Sequence, residues 1–518
     1  MKNINLIFHK NTHFRIGSGV LAICLLLLSS CDKGFDDLNI NKTAATVINP
    51  VFTLNNAVVN TSFTTGTTIY EEGIVQQMVS PNSGVLTGAN FNQDNRDGTV
   101  TMWQRYYRSV TRNTYDVINT TKSQPTRTNL YNMARILQAY AFMVLTDTYG
   151  DIPYTESAKG YTDQLVLPKY DTQQTVYAGV IKELGEATAA LDATKTIETA
   201  DVLYGGSISL WKKFGNSVLL RAGMRLSKID AAQAQQVVQK AFQGGVMDAN
   251  TDNAFIRHDA NYTNAVGQML NSTEANNFYM GAPFVTYLQS TNDPRLKAIA
   301  VRYVGASSGP LQVAARASTD PAVQIGFPFG FDNSSIASEV AKSKLASFYD
   351  YTQVDRTRMV KNTAPMFLVT AAQSQLLLAE AAQRGWVTGT TVETFYNKGV
   401  RLHMEQLALY DAGSAVPAAS IDAYLKANPY DSGKALEQIN TQYWVASFLN
   451  GPEAFANFRR SGFPNLTPNP FPGKSIKGSF IRRLTYPNSE ISVNTTNVKE
   501  AITRMGADDL DTKVWWDK

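Results

Sequence analysis

Thiols, imidazoles and membrane-length apolar runs are what this chain has least of. Its 518 residues include 2 Cys and 4 His. Cys24 lies within an N-terminal apolar stretch and Cys31 directly behind it, so the body of the chain offers no disulfide and no thiolate metal ligand. Beyond that stretch the imidazoles are His258 and His403, whose spacing matches no zinc signature. Charge of one sign is also missing: 47 basic residues face 43 acidic ones. Nothing after residue 30 is apolar and long enough to cross a bilayer.

What is present starts at the N-terminus. Lys2, Lys10 and Arg15 form a basic region, Val20 to Leu28 is a nearly unbroken apolar one, and Leu28-Ser29-Ser30-Cys31 fits a bacterial lipobox. This predicts a lipoprotein signal peptide over 1–30, lipidation of Cys31, and a polar tether over 31–50. Cleavage takes three basic and no acidic residues, leaving 44 against 43, a balance with no general attraction for nucleic acid. Lipid is then the expected membrane attachment.

The remainder, 51–518, reads as one mainly α domain. Its clearest stretch runs from Asn132 to Ser157, where Met133, Ile136, Leu137, Tyr140, Val144 and Leu145 recur at helical spacing and Gly150 and Pro153 end the helix. Further helices are expected over 54–63, 69–79, 102–121, 175–191, 210–227, 233–242, 366–383, 392–409, 436–449 and 452–460. Paired helices separated by short Gly/Pro breaks predict a tetratricopeptide-like scaffold over about 51–245 and 362–463, although no strict 34-residue repeat can be read. The periodicity fades over about 246–361 and 464–518, which predicts a large irregular, loop-rich and aromatic-rich part with short strands such as Ile299 to Val304.

Several stretches, in this order, resemble the SusD/RagB family of nutrient-binding outer-membrane lipoproteins of Bacteroidetes, especially its SusD-like subgroup. They are CDKGFDDLN from Cys31, ARILQAYAFMVLTDTYGDIPYTES at 134–157, WKKFGNSVLLRAGMRLS at 211–227, NDPRL at 292–296 and LLLAEAAQRGW at 376–386. QYWVASFLNGPEAFANFRRSGFP at 442–464, RRLTYPNSE at 482–490 and the WWD near residue 516 complete the set. The resemblance implies a helical scaffold docked on a TonB-dependent, SusC-like porin, a cell-surface location, and capture of an oligosaccharide, or in some members a peptide, for import. It also implies that Asp32, Asp36 and Asp37 act as a surface-export signal, although Lys33 is followed by Gly34 where an acid is expected.

Sugar recognition stacks aromatic faces on pyranose rings and surrounds them with amide, carboxylate and guanidinium partners. Two loops have that composition. One holds Asn92, Asp94 and Arg96 and leads to Trp103; the other holds Tyr303, Phe327, Phe329, Phe331, Asp332, Asn333, Tyr349 and Tyr351. The family resemblance implies a binding aromatic at Trp103 and others in the insertion, against the plain alternative that each ring is core. Trp515 and Trp516 read as packing.

Other constellations read as structure. Arg221 and Arg225, one helical turn apart, are expected to pair with carboxylates such as Asp147 or Asp151, and Arg459-Arg460 and Arg482-Arg483 likewise. Glu71-Glu72 and Asp508-Asp509 are expected to be solvated. Asp248, Asn250, Asp252 and Asp259 form a calcium-like run, but Asn253 stands where an EF-hand loop has glycine and Asp259 where it has glutamate. Gly305-Ala306-Ser307-Ser308-Gly309 matches the G-x-S-x-G pattern of esterases, with His403 as the one later histidine. No acidic pair stands out for glycoside hydrolysis. The expectation is therefore a binding protein without catalytic residues or cofactor; peptide or glycopeptide capture is the alternative, and a lipoprotein esterase or glycosidase the rival class.

Overall fold

The computed structural model describes residues 48–81, 85–271 and 277–518. The signal peptide, Cys31 and the acidic residues behind it lie outside the described residues. Residues 50–518 form one compact unit, and no helix among the described residues is long and apolar enough to cross a membrane.

Twelve helices carry the scaffold: α1 Pro50–Asn60, α2 Thr65–Ile74, α3 Arg96–Arg105, α4 Arg112–Thr121, α5 Thr128–Tyr149 and α6 Gln173–Ala189, then α7 Ile208–Arg225, α8 Ala231–Gly244, α9 Ala371–Gln383, α10 Val392–Gln406, α11 Ala435–Ala446 and α12 Gly451–Ser461. A π-helical stretch, Tyr106–Thr111, joins α3 to α4. Several starts are marked by a side chain that satisfies an orphan N–H: Thr172 caps α6, Ser207 α7, Asp230 α8 and Asn450 α12, while Thr370 and Gln373 form a reciprocal box at α9. Gly150, at φ 83°, ends α5.

The central helix is α5. From Ala139 onward it is buried on every side, which is why its sequence is apolar nearly all round rather than along one stripe. It packs on α6, α6 on α7, and α7 on α8; α9 packs on α7, α10 and α11. This chain of paired neighbours is the tetratricopeptide-like scaffold. Helix α12 lies against α2 and α5, and α2 also meets α3 so closely that a Cβ on Gly66 would stand 2.4 Å from the Gly98 carbonyl oxygen.

The arginines are anchored inside this stack. Arg225 binds Asp147 at 3.2 Å and Glu453 at 2.8 Å, and Arg221 binds Glu453 at 3.1 Å. The Tyr177 hydroxyl and Trp516 Nε1 donate to Asp147, and the Tyr443 hydroxyl donates to Glu453. Asp151 pairs instead with Arg504. Arg460 holds Glu380 through two bonds of 2.6 and 2.7 Å, and Arg459 lies between the rings of Phe455 and Trp516. Paired in this way, a charge can be buried where an isolated one cannot. Glu71 and Glu72 correct the sequence reading: both are fully buried. Burial pushes Glu71 up to about 8 against the pull of Arg459, and Glu72 accepts the Leu449 N–H. Asp508 is also sequestered, between Arg96 and Arg483.

Among the described residues, seven short strands belong to the irregular part and its supports. β1 Met78–Val79 pairs with β3 Tyr279–Met280, and β2 Ala254–Ile256 with β7 Met366–Val369. In the insertion, β4 Ala300–Tyr303 runs between β5 Ala317–Ser318 and β6 Gln353–Val354, all antiparallel. Two expectations give way here. Met366–Val369 is strand, not the first turn of α9, because an apolar run followed by the Thr370 cap suits a buried β edge equally well. The region from 464 onward also contains helices, Asn488–Val493 and Thr495–Met505, rather than loops alone.

Candidate functional site

The first aromatic–amide loop is folded by its own polar groups. Residues 85–91 form a tight 3₁₀ turn, and Asn92 at φ 51° adopts the left-handed conformation that asparagine tolerates. The Asn92 carbonyl accepts the Ser475 N–H at 3.0 Å. Asp94 accepts from Thr485 at 2.7 Å and from Arg96 at 3.0 Å; Arg96 reaches on to Asp508 at 2.6 Å and the Tyr486 carbonyl at 2.8 Å. Asn92, Asp94 and Arg96 thus fasten the loop to residues 475–508; Asn92 is buried, which corrects the expectation that it greets a ligand, while Asp94 stays exposed and Arg96 half-exposed.

Trp103 is corrected in the same way. It is buried, its ring 4.8 Å from Tyr107, 5.0 Å from Tyr149 and 5.9 Å from Tyr486. With both faces covered it is a packing residue.

The second loop divides. Phe327, Phe329 and Tyr351 are buried with Val79, Tyr279 and Ile336 in a small core of their own, and Tyr303 is buried beside Val301 and Ala306. These rings pack the insertion around Val79 of β1 and around β4, and Tyr303, Phe327 and Phe329 are core rather than platform. Phe331 and Tyr349 remain half-exposed. Phe348, which sequence reasoning passed over, is half-exposed too, its ring centroid 4.0 Å from that of Tyr349. Its neighbours in the sequence gave the same aromatic signal, so adjacency to Tyr349 was the clue. Next to Phe331, Asp332 is ionised throughout the physiological range: burial works against it, but hydrogen bonds from Ser334 and Ser335 hold it down at about 2.

Asn90 joins the two loops. Its amide donates to the Phe331 carbonyl at 2.7 Å and the Ser80 carbonyl at 3.2 Å, and its oxygen accepts the Gly330 N–H at 3.1 Å. Asn469 donates to the Asn90 carbonyl, and Phe91 meets Phe471 at 4.4 Å. The half-exposed rings of the insertion are therefore carried on a mount tied to the helical scaffold. Beside the start of α3 runs a groove of about 600 Å³, lined by Thr65, Asp97, Thr101, Gln104, Arg108 and Met269. Hydroxyl, amide, carboxylate and guanidinium groups there suit a polyhydroxylated ligand.

The rival chemistries find no support in the geometry. Ser307 is exposed in a loop, followed by a three-residue 3₁₀ turn instead of a helix. His403 is buried against Arg295 at 3.0 Å, and burial together with that positive charge holds it neutral. His258 is spent on Ser62 and the Ala364 carbonyl. The carboxylates of the calcium-like run are engaged by the protein's own groups. Asp252 binds Lys213 at 2.8 Å and the N–H groups of Asp248 and Ala249, Asp248 pairs with Lys398, and Asp259 closes its own turn onto Asn261 and Tyr262. Among the described residues no cluster of three or more His, Cys, Asp or Glu side chains is placed to hold a metal.

A helical-repeat scaffold carrying an irregular, ring-bearing insertion defines a class of binding proteins. The chain belongs to the SusD-like family described as starch-binding associating with outer membrane, whose profile matches residues 41–487. Among solved structures it is similar to a chitin-binding protein at 32% identity, with a TM-score of 0.80 over 91% of this chain and 100% of that one. A Bacteroidetes SusD-like protein matches at 27% identity and a TM-score of 0.78 over 91% and 100% of the two chains. A chitin-binding SusD homologue from Flavobacterium johnsoniae matches at 25% and 0.71 over 90% and 97%. No curated protein matches the chain. Two of these relatives are named for chitin binding, and the family itself is described as starch-binding, so the family is one of binding proteins.

Proposed function

We propose that the protein is a lipoprotein, anchored through Cys31 and facing the cell exterior, that captures a glycan and passes it to a SusC-like, TonB-dependent porin. The observation that carries the reading is the half-exposed pair Phe348 and Tyr349, with Phe331, on an insertion pinned to the scaffold by Asn90. Such rings cover the apolar face of a pyranose while neighbouring amides and carboxylates meet its hydroxyls. Two relatives described as chitin-binding make N-acetylglucosamine oligomers the first ligands to try, with maltooligosaccharides second. Capture and transfer need no covalent step and no cofactor.

Calorimetric titration of the mature protein with chitooligosaccharides and maltooligosaccharides tests this. Tyr349→Ala and Phe348→Ala are expected to lower affinity about tenfold or more, since loss of one stacked ring removes roughly 1–2 kcal/mol. Unchanged affinity in both variants overturns the assignment of the site, and binding of neither glycan class overturns the function. Isolation of the acylated protein from outer membranes is expected to bring a TonB-dependent porin with it.

A further inference from the structure

Of the six tryptophans, five are buried and Trp515 is half-exposed. Its neighbours explain how it is held. Val514 and Trp516 are buried, and Trp516 Nε1 donates to Asp147 at 2.9 Å. The Asp517 N–H closes a turn onto the Val514 carbonyl at 3.0 Å, and its carboxylate accepts from Arg482 Nε at 2.7 Å. The chain is thus fastened on both sides of Trp515. Trp516 takes the packing role that the sequence suggested for both rings, while Trp515 keeps part of its surface in solvent.

The indole borders a pocket of about 510 Å³, within the range of small-molecule sites. One wall is a single face of α6, where Gln174, Tyr177, Ala178 and Ile181 recur at helical spacing. The opposite lining comes from the turn between α7 and α8, with Leu226, Lys228, Ile229 and Asp230, and from Gln233 in the first turn of α8. Leu226 is buried and Ile181 and Ile229 half-buried, so part of the lining is apolar. The polar groups beside it are largely uncommitted. Asp230 accepts the Gln233 N–H at 2.9 Å through one oxygen. The side-chain amides of Gln174 and Gln233 and the Lys228 ammonium bond no protein group among the described residues.

That combination has a chemistry. Side-chain amides donate and accept side by side, as neighbouring hydroxyls require, and an indole covers the apolar side of a pyranose. Because Trp515 is fixed by the residues around it, little ordering cost opposes such a contact. We propose that the Trp515 pocket is a second glycan-binding site, on the helical scaffold, that takes a pyranose unit against the indole. It shares no lining residue with the rings Phe331, Phe348 and Tyr349 of the insertion. The proposal rests on the glycan capture proposed above, and it gives one chain two holds on a long polysaccharide, the second raising the apparent affinity of the first.

Since Trp515 is the accessible indole, acrylamide quenching of intrinsic fluorescence reads the pocket directly. Chitotriose or maltotriose is expected to protect the quenchable emission, both in the parent protein and in the Phe348→Ala/Tyr349→Ala double variant. Ala178→Arg places a long charged chain at an exposed position of the pocket wall. It is expected to abolish the protection and to leave calorimetric binding at the insertion intact. Trp515→Phe is expected to remove the quenchable emission itself; parent-like quenching in that variant overturns the proposal. Protection that persists in Ala178→Arg, or that disappears in the double variant, also overturns it, as does protection by tripeptides but by neither sugar. Calorimetric binding of glycan without any protection refutes the second site alone, whereas no glycan binding by either measurement refutes it together with the proposed function.

Discussion

Arg225 and Glu453 are 228 residues apart in the chain and 2.8 Å apart in its interior. Glu453 takes Arg221 as well, so one carboxylate neutralises two guanidinium groups from α7. Glu453→Ala leaves both cations buried, Arg225 with Asp147 and Arg221 with no acid partner, and is expected to cost about 3–5 kcal/mol, read from chemical denaturation. Burial pushes the Glu453 carboxyl up, but Arg221 and Arg225 outweigh it and keep it below its ordinary value of 4.5. A depressed carboxylate stabilises above its unfolded pKa, and that stability is lost as pH falls below about 4.5 through the folded value. The variant is therefore expected to show a flatter acid limb in its melting temperature.

Glu71 behaves oppositely. Burial raises it from 4.5 to about 8 in the fold. Its contribution is fully present below pH 4.5 and declines as pH rises toward 8 and through it. Glu71→Gln, which keeps the shape and removes the ionisation, is expected to gain stability relative to the parent at pH 8–9 by a few kcal/mol and little at pH 5. Melting curves at the two pH values decide it; an equal effect at both removes the explanation.

Gly66 marks the closest approach of α2 to α3. Gly66→Ala drives a methyl group to 2.4 Å from the Gly98 carbonyl oxygen, and is expected to cost about 1–3 kcal/mol by overpacking, measured as a lowered denaturation midpoint with an unchanged slope.

Trp103→Ala separates core from site. Loss of the indole from the Tyr107, Tyr149 and Tyr486 cluster is expected to cost about 3–5 kcal/mol of stability, while the molecules that remain folded keep their affinity for glycan. A variant that is stable but no longer binds would return Trp103 to the ligand surface.

Ser307→Ala is expected to change neither stability nor any ester or glycoside hydrolysis, since the hydroxyl is exposed and the imidazoles of His258 and His403 are engaged elsewhere. Hydrolysis by the parent chain that vanishes in this variant would restore the enzyme reading.

The helices were legible because their signals are local. The period of α5, the stop at Gly150, and the Thr, Ser and Asp caps all lie within a few residues of the element they set. The site was legible only as composition. Phe327 and Phe331 carry the same residue type four positions apart, yet one closes a small core and the other stands half-exposed. That difference depends on Val79 and Tyr279, which arrive from far along the chain. Glu71 and Glu72 were misread for the same reason: burial of an acid follows from its partners Arg459 and the Leu449 N–H, not from its neighbours in sequence. Asn90, which binds the two loops together, resembled any loop asparagine.

Trp516 donates to Asp147 across 369 residues of sequence and presses on Arg459. The one carboxylate of α5 therefore goes without one of its donors until the segment around residue 516 arrives. Long-range closure of that kind is slow and leaves sticky surfaces uncovered.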